Sequence, residues 1–382
     1  MLRLRNRLLS AVRAAASPSP SLHRGYRRLL LSTAAAPAAR FVAEDFLVRT
    51  CGLAPAEALR SAKYLAHLRS PSQPEAALAF LEGLGLAKAA VAAAVAREPR
   101  LLCCRVDGTL ALRVAQLRGL GLSPPQISGL VAAAPSVLRW SGMVARVAFH
   151  LSVLGSYEKL HAALLRRRGV SLLHQDVERV VKPNMAFLKQ CGLGDSDIAN
   201  LIFHAPIVAS SPEHVKQIVA SADRLGIPRD SKMFKHALVT VYHVTPCKVD
   251  AKLDFMKKVL GCSEDELRLA VCKVPTILVL TEDNIRQTVD FLKTEVGLEA
   301  EYIVRRPILL RHSTKRRLIP RHYVIKVLKA KGMKKKEFDF RTAISLSEKI
   351  FAEKFLVPYK ESVPGLVDAY AALCAGQVAL KL

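Results

Sequence analysis

The side chains best suited to chemistry in this 382-residue chain are its arginines and lysines, and they are clustered. The stretch RRPILLRHSTKRRLIPRH contains Arg305, Arg306, Arg311, Lys315, Arg316, Arg317 and Arg321 with no carboxylate among them. Arg166, Arg167 and Arg168 form a second run, and Lys334, Lys335 and Lys336 a third. A guanidinium is a planar fork that grips phosphate oxygens in pairs, and like charges this dense call for water or a polyanion over them. Phosphate contact is therefore the chemistry expected of the residues at 166–168 and 305–321. The competing reading for any single cluster is a solvated basic surface.

Other chemistries fail on residue type or spacing. GLGL at 83–86 and 119–122 offers only a Gly-x-Gly fragment, and no phosphate-cradling G-x-x-x-x-G-K-[ST] follows. The 11 histidines form no H-E-x-x-H; His312 and His322 read as polar surface or phosphate contacts, not metal ligands. The eight cysteines contain no C-x-x-C and read as small buried hydrophobes in a reducing compartment, Cys103 and Cys104 included. Asp195 and Asp197 follow Gly194 and read as helix caps. No nucleophile, base and orienting group occur as a set, so no enzymatic centre, metal or cofactor is expected. Aromatic residues do not interleave with the basic runs along the chain, which favours a duplex ligand over a single strand.

The charge balance agrees with a polyanionic partner: the formal net charge is +26 and the pI about 10. Eight of the arginines fall in residues 1–40, where no acid occurs, among Leu, Ala and Ser. That composition reads as an organellar transit peptide, with mitochondria favoured and chloroplasts the alternative. Setting those eight aside still leaves +18 on the remainder. No membrane span is expected, because the longest charge-free stretch, GLGLSPPQISGLVAAAPSVL, contains three prolines. Apolar content of 51% with mean hydropathy +0.20 excludes wholesale disorder, and a Leu/Ala/Val bias with one Trp leans towards helix.

The elements that must carry the basic runs repeat. Glycine follows an apolar helix end at positions 52, 85, 121, 155, 192, 226, 261, 297 and 332, a mean spacing of 35 residues. In LDFMKKVLGCSEDELRLAVCKVPTIL, Leu253, Met256 and Leu260 share one helical face and Gly261 takes the left-handed position that ends the helix. Ser263 and Glu266 have capping-box spacing for a second helix, which Pro275 ends. Apolar residues recur five places beyond the post-glycine position (Val91, Ile127, Ile198, Leu267, Ile303, Phe338), and prolines at 99, 135, 206 and 275. Gly169 and Thr240 fill the proline slot in two units, and Pro307 comes four residues early, which predicts a second helix one turn shorter. PILL at 307–310 is thus repeat punctuation, equivalent to PRLL, PSVL and PTIL, with its apolar residues between stacked units. One such unit cannot bury its apolar face alone; stacked neighbours can.

The pattern L-x-x-L-G-[apolar]-x4-[apolar]-x7-P-x-[apolar]-L resembles the mitochondrial transcription termination factor family, mTERF, over about residues 45–360. Plant-type phrases such as RVVKPNMAFLKQCGL and AEKFLVPYK carry the closest likeness. The resemblance implies a superhelical array that binds nucleic acid in mitochondria or plastids, with roles in transcription termination or RNA processing. The expectation is an all-α solenoid, right- or left-wound, of about nine repeats over residues 41–360, with a tail at 361–382. Its expected function, as a monomer, is duplex DNA binding that regulates or terminates organellar transcription. The alternatives are an RNA-binding factor for splicing or ribosome assembly, and a protein-interaction scaffold whose basic surface only confers solubility.

Overall fold

The computed structural model describes residues 41–332 and 339–377. The expected transit segment, Lys334–Lys336 and Phe338 lie outside the described residues. Among the described residues the chain forms 21 α-helices and no strand, an all-α helical-repeat solenoid.

The units follow the glycine register. α1 (Ala43–Arg49) and α2 (Pro55–Ala62) open the array; α3 (Ser72–Gly83) and α4 (Lys88–Arg97) follow, then α5 (Ala111–Gly119) and α6 (Pro124–Ala133). α7 (Met143–Leu154) pairs with α8 (Tyr157–Leu165), which is succeeded by the short α9 (Ser171–His174). α10 (Lys182–Gln190) and α11 (Asp195–His204), α12 (Pro212–Arg224) and α13 (Phe234–Val244), and α14 (Val249–Leu260) and α15 (Glu264–Lys273) continue the array. α16 (Glu282–Thr294) and α17 (Ala300–Arg305) precede α18 (Ile319–Ala330), α19 (Phe340–Ser345), α20 (Glu348–Phe355) and α21 (Leu366–Ala375). Second helices stack on second helices, α2 on α4, α4 on α6, α6 on α8, α8 on α11 and α11 on α13. Each buries what its neighbour exposes, as nearest-neighbour repeats must.

All nine repeat glycines have positive φ, from +70° to +96°. At Gly261, φ +70° and ψ +39° place the residue in the left-handed region, where a Cβ would crowd the following carbonyl. An added Cβ there meets nothing within 4 Å, so conformation and not space demands the glycine. Downstream, Ser263 N–H donates to Glu266 at 2.8 Å and Glu266 N–H donates to Ser263 Oγ at 3.2 Å, a complete capping box. Val91, Ile127, Ile198, Leu267 and Ile303 are all buried, as the spacing predicts.

The prolines act through the residue before them. Glu98, Ala134, Val274 and Arg306 sit at φ −126° to −143° and ψ 63° to 77°, outside the helical region that a following proline ring obstructs. A 3₁₀ segment then begins at each proline: Pro99–Cys103, Pro135–Leu138, Pro275–Val279 and Pro307–Arg311. In the last, Pro307, Leu309 and Leu310 are buried, whereas Ile308 is 51% exposed and does not belong to the packed set. α17 has six residues where α15 has ten, the one-turn shortening that the early Pro307 predicts.

Three departures from the sequence reading stand out. Thr240 is not the proline slot of its unit. Five extra residues between Gly226 and α13, and one more within α13, shift the register, and Pro246 opens the 3₁₀ segment Pro246–Lys248. Gly169 replaces proline for a different reason: the turn folds back onto α8 so closely that a Cβ would collide with the backbone of Ala163 and Leu164. Residues 361–382, expected as a tail, include α21, which packs against α18 and places Leu366, Tyr370 and Leu373 in the interior. A feature with no sequence signal is the wide turn that opens α5, α10 and α18. There Leu110, Val181 and Leu318 donate to the carbonyls of Arg105, Asp176 and Ser313, five residues back, at 3.0–3.2 Å. No helix among the described residues is long and apolar enough to cross a membrane.

Candidate nucleic-acid interface

The second helices end beside their prolines, and the 3₁₀ segments of neighbouring units pack on one another, so these features form one edge of the array. Basic residues recur two positions before the slot on this edge: Arg97, Arg167, His204, Lys273 and Arg305, with Ala133 and Val244 as the interruptions. A helix C-terminus presents unpaired carbonyls and partial negative charge, which attract cations before any ligand arrives. The functional question is which side chains are already committed to those carbonyls.

Several are. Arg321, expected on the ligand face, is fully buried and cannot reach a ligand. Its guanidinium donates to the carbonyls of Ala343 at 2.6 Å and Leu346 at 2.8 Å, pairs with Glu348 at 2.7 Å and lies 4.4 Å from the Phe351 ring centre. Burial would raise the Glu348 carboxyl, but hydrogen bonds from Tyr370 and Arg321 outweigh it and hold the group below its ordinary value. Arg317 is likewise half-buried, donating to Ile344 at 2.8 Å and to Leu346. Burial, then the Arg321 charge, pushes its guanidinium down. These two arginines cap the end of α19. Arg97 does the same across units, donating to Ala133 at 2.9 Å and to Ala132. Lys273 reaches the Arg305 carbonyl at 3.3 Å, and Arg311 the Thr276 carbonyl at 3.4 Å. Arg305 is exposed but paired with Glu301 at 2.5 Å.

His312 and His322 are also less available than expected. His312 is half-buried and pushed down by burial and then by Arg317 and Arg321. His322 packs edge-on to Phe291 and Phe340, with ring centres 5.6 and 5.5 Å away. Cys104 is buried and Cys103 partly so, and burial raises both thiols, in line with packing.

Arg166, Arg167, Arg168, Arg306, Lys315 and Arg316 are exposed and pair with no carboxylate among the described residues. Lys315 and Arg316 sit in the wide turn that opens α18 (Thr314–Leu318), whose Ser313 cap accepts from the Arg316 N–H at 3.2 Å. Arg166–Arg168 form the turn after α8. Arg166–Arg168 thus stand at the end of a second helix, and Lys315 and Arg316 a few residues beyond the 3₁₀ segment Pro307–Arg311.

Sequence reasoning missed a third basic site. Arg60, Lys63, Arg97, Arg100 and Arg139 line an open cleft of about 450 Å³ with Tyr64 in its wall, balanced only by Glu57 and Glu98. These residues are dispersed over 80 positions of sequence, so no run betrays them; only Arg97 stands two before a repeat proline. The separation of aromatic from basic residues also dissolves in three dimensions. Arg100 lies 4.8 Å from the Tyr64 ring centre, Arg139 5.0 Å from Trp140, Arg166 4.5 Å from Phe203 and Arg306 5.2 Å from Tyr302. Trp140 is 45% exposed, so a flat apolar face is open beside its arginine.

Comparison with known proteins places this geometry in context. The mTERF family model matches residues 65–352. Over 155 residues, 38% of this chain and 43% of the relative, it is 26% identical to Transcription termination factor 3, mitochondrial, of Drosophila melanogaster. Over 286 residues, 70% of this chain and 53% of the relative, it is 22% identical to Transcription termination factor MTERF8, chloroplastic, of Arabidopsis thaliana. The chain spans about half the length of these curated relatives.

Proposed function

This chain belongs to the mTERF family, and from that premise we propose that it is an organellar, non-enzymatic nucleic-acid-binding protein that regulates or terminates transcription by gripping duplex DNA. The observation that carries this reading is the proline edge. Exposed, carboxylate-free Arg166, Arg167, Arg168, Arg306, Lys315 and Arg316 remain there after the helix ends have taken their share of cations. Residues at equivalent positions in stacked units recur along one edge, as phosphates recur along a strand. A bound roadblock needs no reacting group, and affinity would rest on phosphate contacts and fall steeply with salt. The mitochondrial and chloroplastic names of the relatives and the arginine-rich residues 1–40 support an organelle, with the mitochondrion preferred.

A second reading, RNA or another single strand, draws support from the arginine–aromatic pairs, because exposed Trp140 beside Arg139 offers a base a stacking surface. The deciding experiment compares duplex DNA, duplex RNA and single strands of equal length at matched salt. Tightest binding to duplex DNA, with a linear fall of log affinity against log salt, is expected. Preference for single strands would establish the second reading, and no binding to any of them would remove both.

A further inference from the structure

The turn after α8 carries features that phosphate contact alone does not require. Arg167, Arg168, Tyr242, His243 and Thr245 line one small cleft of about 30 Å³, room for a water or one phosphate oxygen. Two of these, Arg168 at φ +63° and Thr245 at φ +79°, are the described non-glycine residues with positive φ. For β-branched Thr245 that conformation is strained, and strain of this kind gathers at functional sites. Both strained residues lie where their unit departs from the repeat, one at the glycine-for-proline exchange and one at the shifted Pro246.

One histidine, His243, lines the cleft, and a second, His204, stands beside it. His243 sits at the end of α13 and His204 at the end of α11, each edge-on to an aromatic neighbour, Tyr242 at 5.5 Å and Phe203 at 5.0 Å between ring centres. We infer that this cleft seats one oxygen of a backbone phosphate held by Arg167, Arg168 and His243, and that His243 and His204 gain protons as it arrives. The inference rests on the nucleic-acid reading and deepens it, since it makes binding at this point of the array proton-linked.

Every element around the cleft contributes to the balance. His243 is held below its ordinary value by burial, a hydrogen bond to the His204 backbone opposes this, and Arg167 and Arg166 reinforce it. Burial, then Arg166, His236 and His243, lowers His204; burial, then Lys235, lowers His236. From α12, His214 approaches Tyr242 at 6.5 Å between ring centres. Tyr242 itself is raised by burial, with Arg168 pulling it down. The nearby carboxylate, Asp197, is committed to Lys235 at 2.7 Å. The free cluster is thus dominated by cations, its nearby carboxylate being paired with Lys235 and opposing the shift of His236, and burial favours the neutral form of His204 and His243. A phosphate inserted among them reverses the sign of the local field and favours imidazolium.

The sign of the linkage follows. Between the depressed value of the free histidines and their raised value in the complex, binding takes up protons, so affinity rises as pH falls. Each proton taken up strengthens binding by at most about tenfold per pH unit in that window. Below the free value the histidines are charged in both states and the dependence flattens.

The test measures binding of the full chain to a labelled DNA duplex and an equal-length single strand from about pH 8 to about pH 6 at fixed ionic strength. The wild type and His204→Gln/His243→Gln are compared, with inorganic phosphate as competitor and a melt of each variant as the fold control. Affinity of the wild type is expected to rise several-fold across the range, and the double variant to lose most of that slope. Should the variant fail to fold, imidazole NMR titration of the wild type with and without duplex replaces it, and a rise of the His204 and His243 values on binding is expected. Strong but pH-independent binding, an undiminished slope in the folded variant or unmoved imidazoles would overturn this inference while leaving the nucleic-acid reading intact. Absence of binding to either probe at every pH would overturn both. Competition by inorganic phosphate that weakens in Arg167→Ala/Arg168→Ala would locate the anion at the cleft, and competition unchanged in that variant would place it elsewhere.

Discussion

Arg317 and Arg321 differ from Lys315 and Arg316 by a few positions in sequence and by everything in environment. The first two are spent on the carbonyls ending α19; the second two face solvent. Changing Arg321 to Ala leaves the Ala343 carbonyl without that donor, the Ile344 and Leu346 carbonyls to Arg317 alone and Glu348 to Tyr370 alone, and should cost about 1–3 kcal/mol. Changing Lys315 and Arg316 to Ala should leave the melt nearly unchanged. It should reduce the salt slope of binding by roughly 0.9 for each phosphate that the variant no longer neutralises. Paired melts and salt titrations check both, and an unchanged slope would return these two residues to plain solvated surface. His150 supplies a further test at this scale. Its Nε2–H donates to the Leu172 carbonyl at 2.9 Å, Nδ1 is buried without a partner among the described residues, and burial lowers the group from 6.5 to about 4. The unfolded chain binds the proton first as pH falls, so the stability from neutral His150 is complete above about 6.5 and lost by about 4. The loss is of the order of 3 kcal/mol. Urea melts across that range should show His150→Gln with a shallower acid slope than the wild type.

At the scale of elements, the glycine and proline do separate work. Gly261 ends α14 in a left-handed conformation with open space around it, so Gly261→Val should be destabilising through backbone strain, by about 1–2 kcal/mol. A thermal melt with no loss would deny it the role of helix terminator. Replacing Gly169, by contrast, fails through collision, in the turn that carries the exposed Arg166–Arg168. The 3₁₀ segments depend on burial: Leu309, only 5% exposed, should cost about 2–5 kcal/mol when cut to Ala, whereas its 51%-exposed neighbour Ile308 should cost little.

At the scale of the whole molecule, the buried residues described form two clusters. The last helices form their own core, in which Val324, Ile325 and Leu328 of α18 meet Phe351, Phe355, Leu366 and Tyr370. Removing residues 361–382 takes α21 away and exposes the face of α18 that it covers, since each stacked element buries its neighbour's apolar surface. Such a truncation is expected to melt earlier and to expose apolar surface to a dye; an unchanged melting curve would make α21 dispensable.

The sequence by itself determined the repeat, because glycine at a left-handed turn and proline at a helix end act on the backbone locally, within a few residues of their own position. Gly261, the Ser263–Glu266 box, Pro275 and the shortened α17 were all legible for that reason. The identity of the binding residues was not, because a basic side chain has the same appearance in sequence whether it caps carbonyls or awaits a phosphate. Arg321 is separated by 22–27 residues from the carbonyls and carboxylate it serves, and Arg97 by 35–36 from its acceptors on α6. Only stacking one unit on the next brought those partners within reach. The same stacking set Arg166 against Phe203 and His204 beside His243, because long-range packing, unlike the local backbone, joins residues that the chain keeps apart.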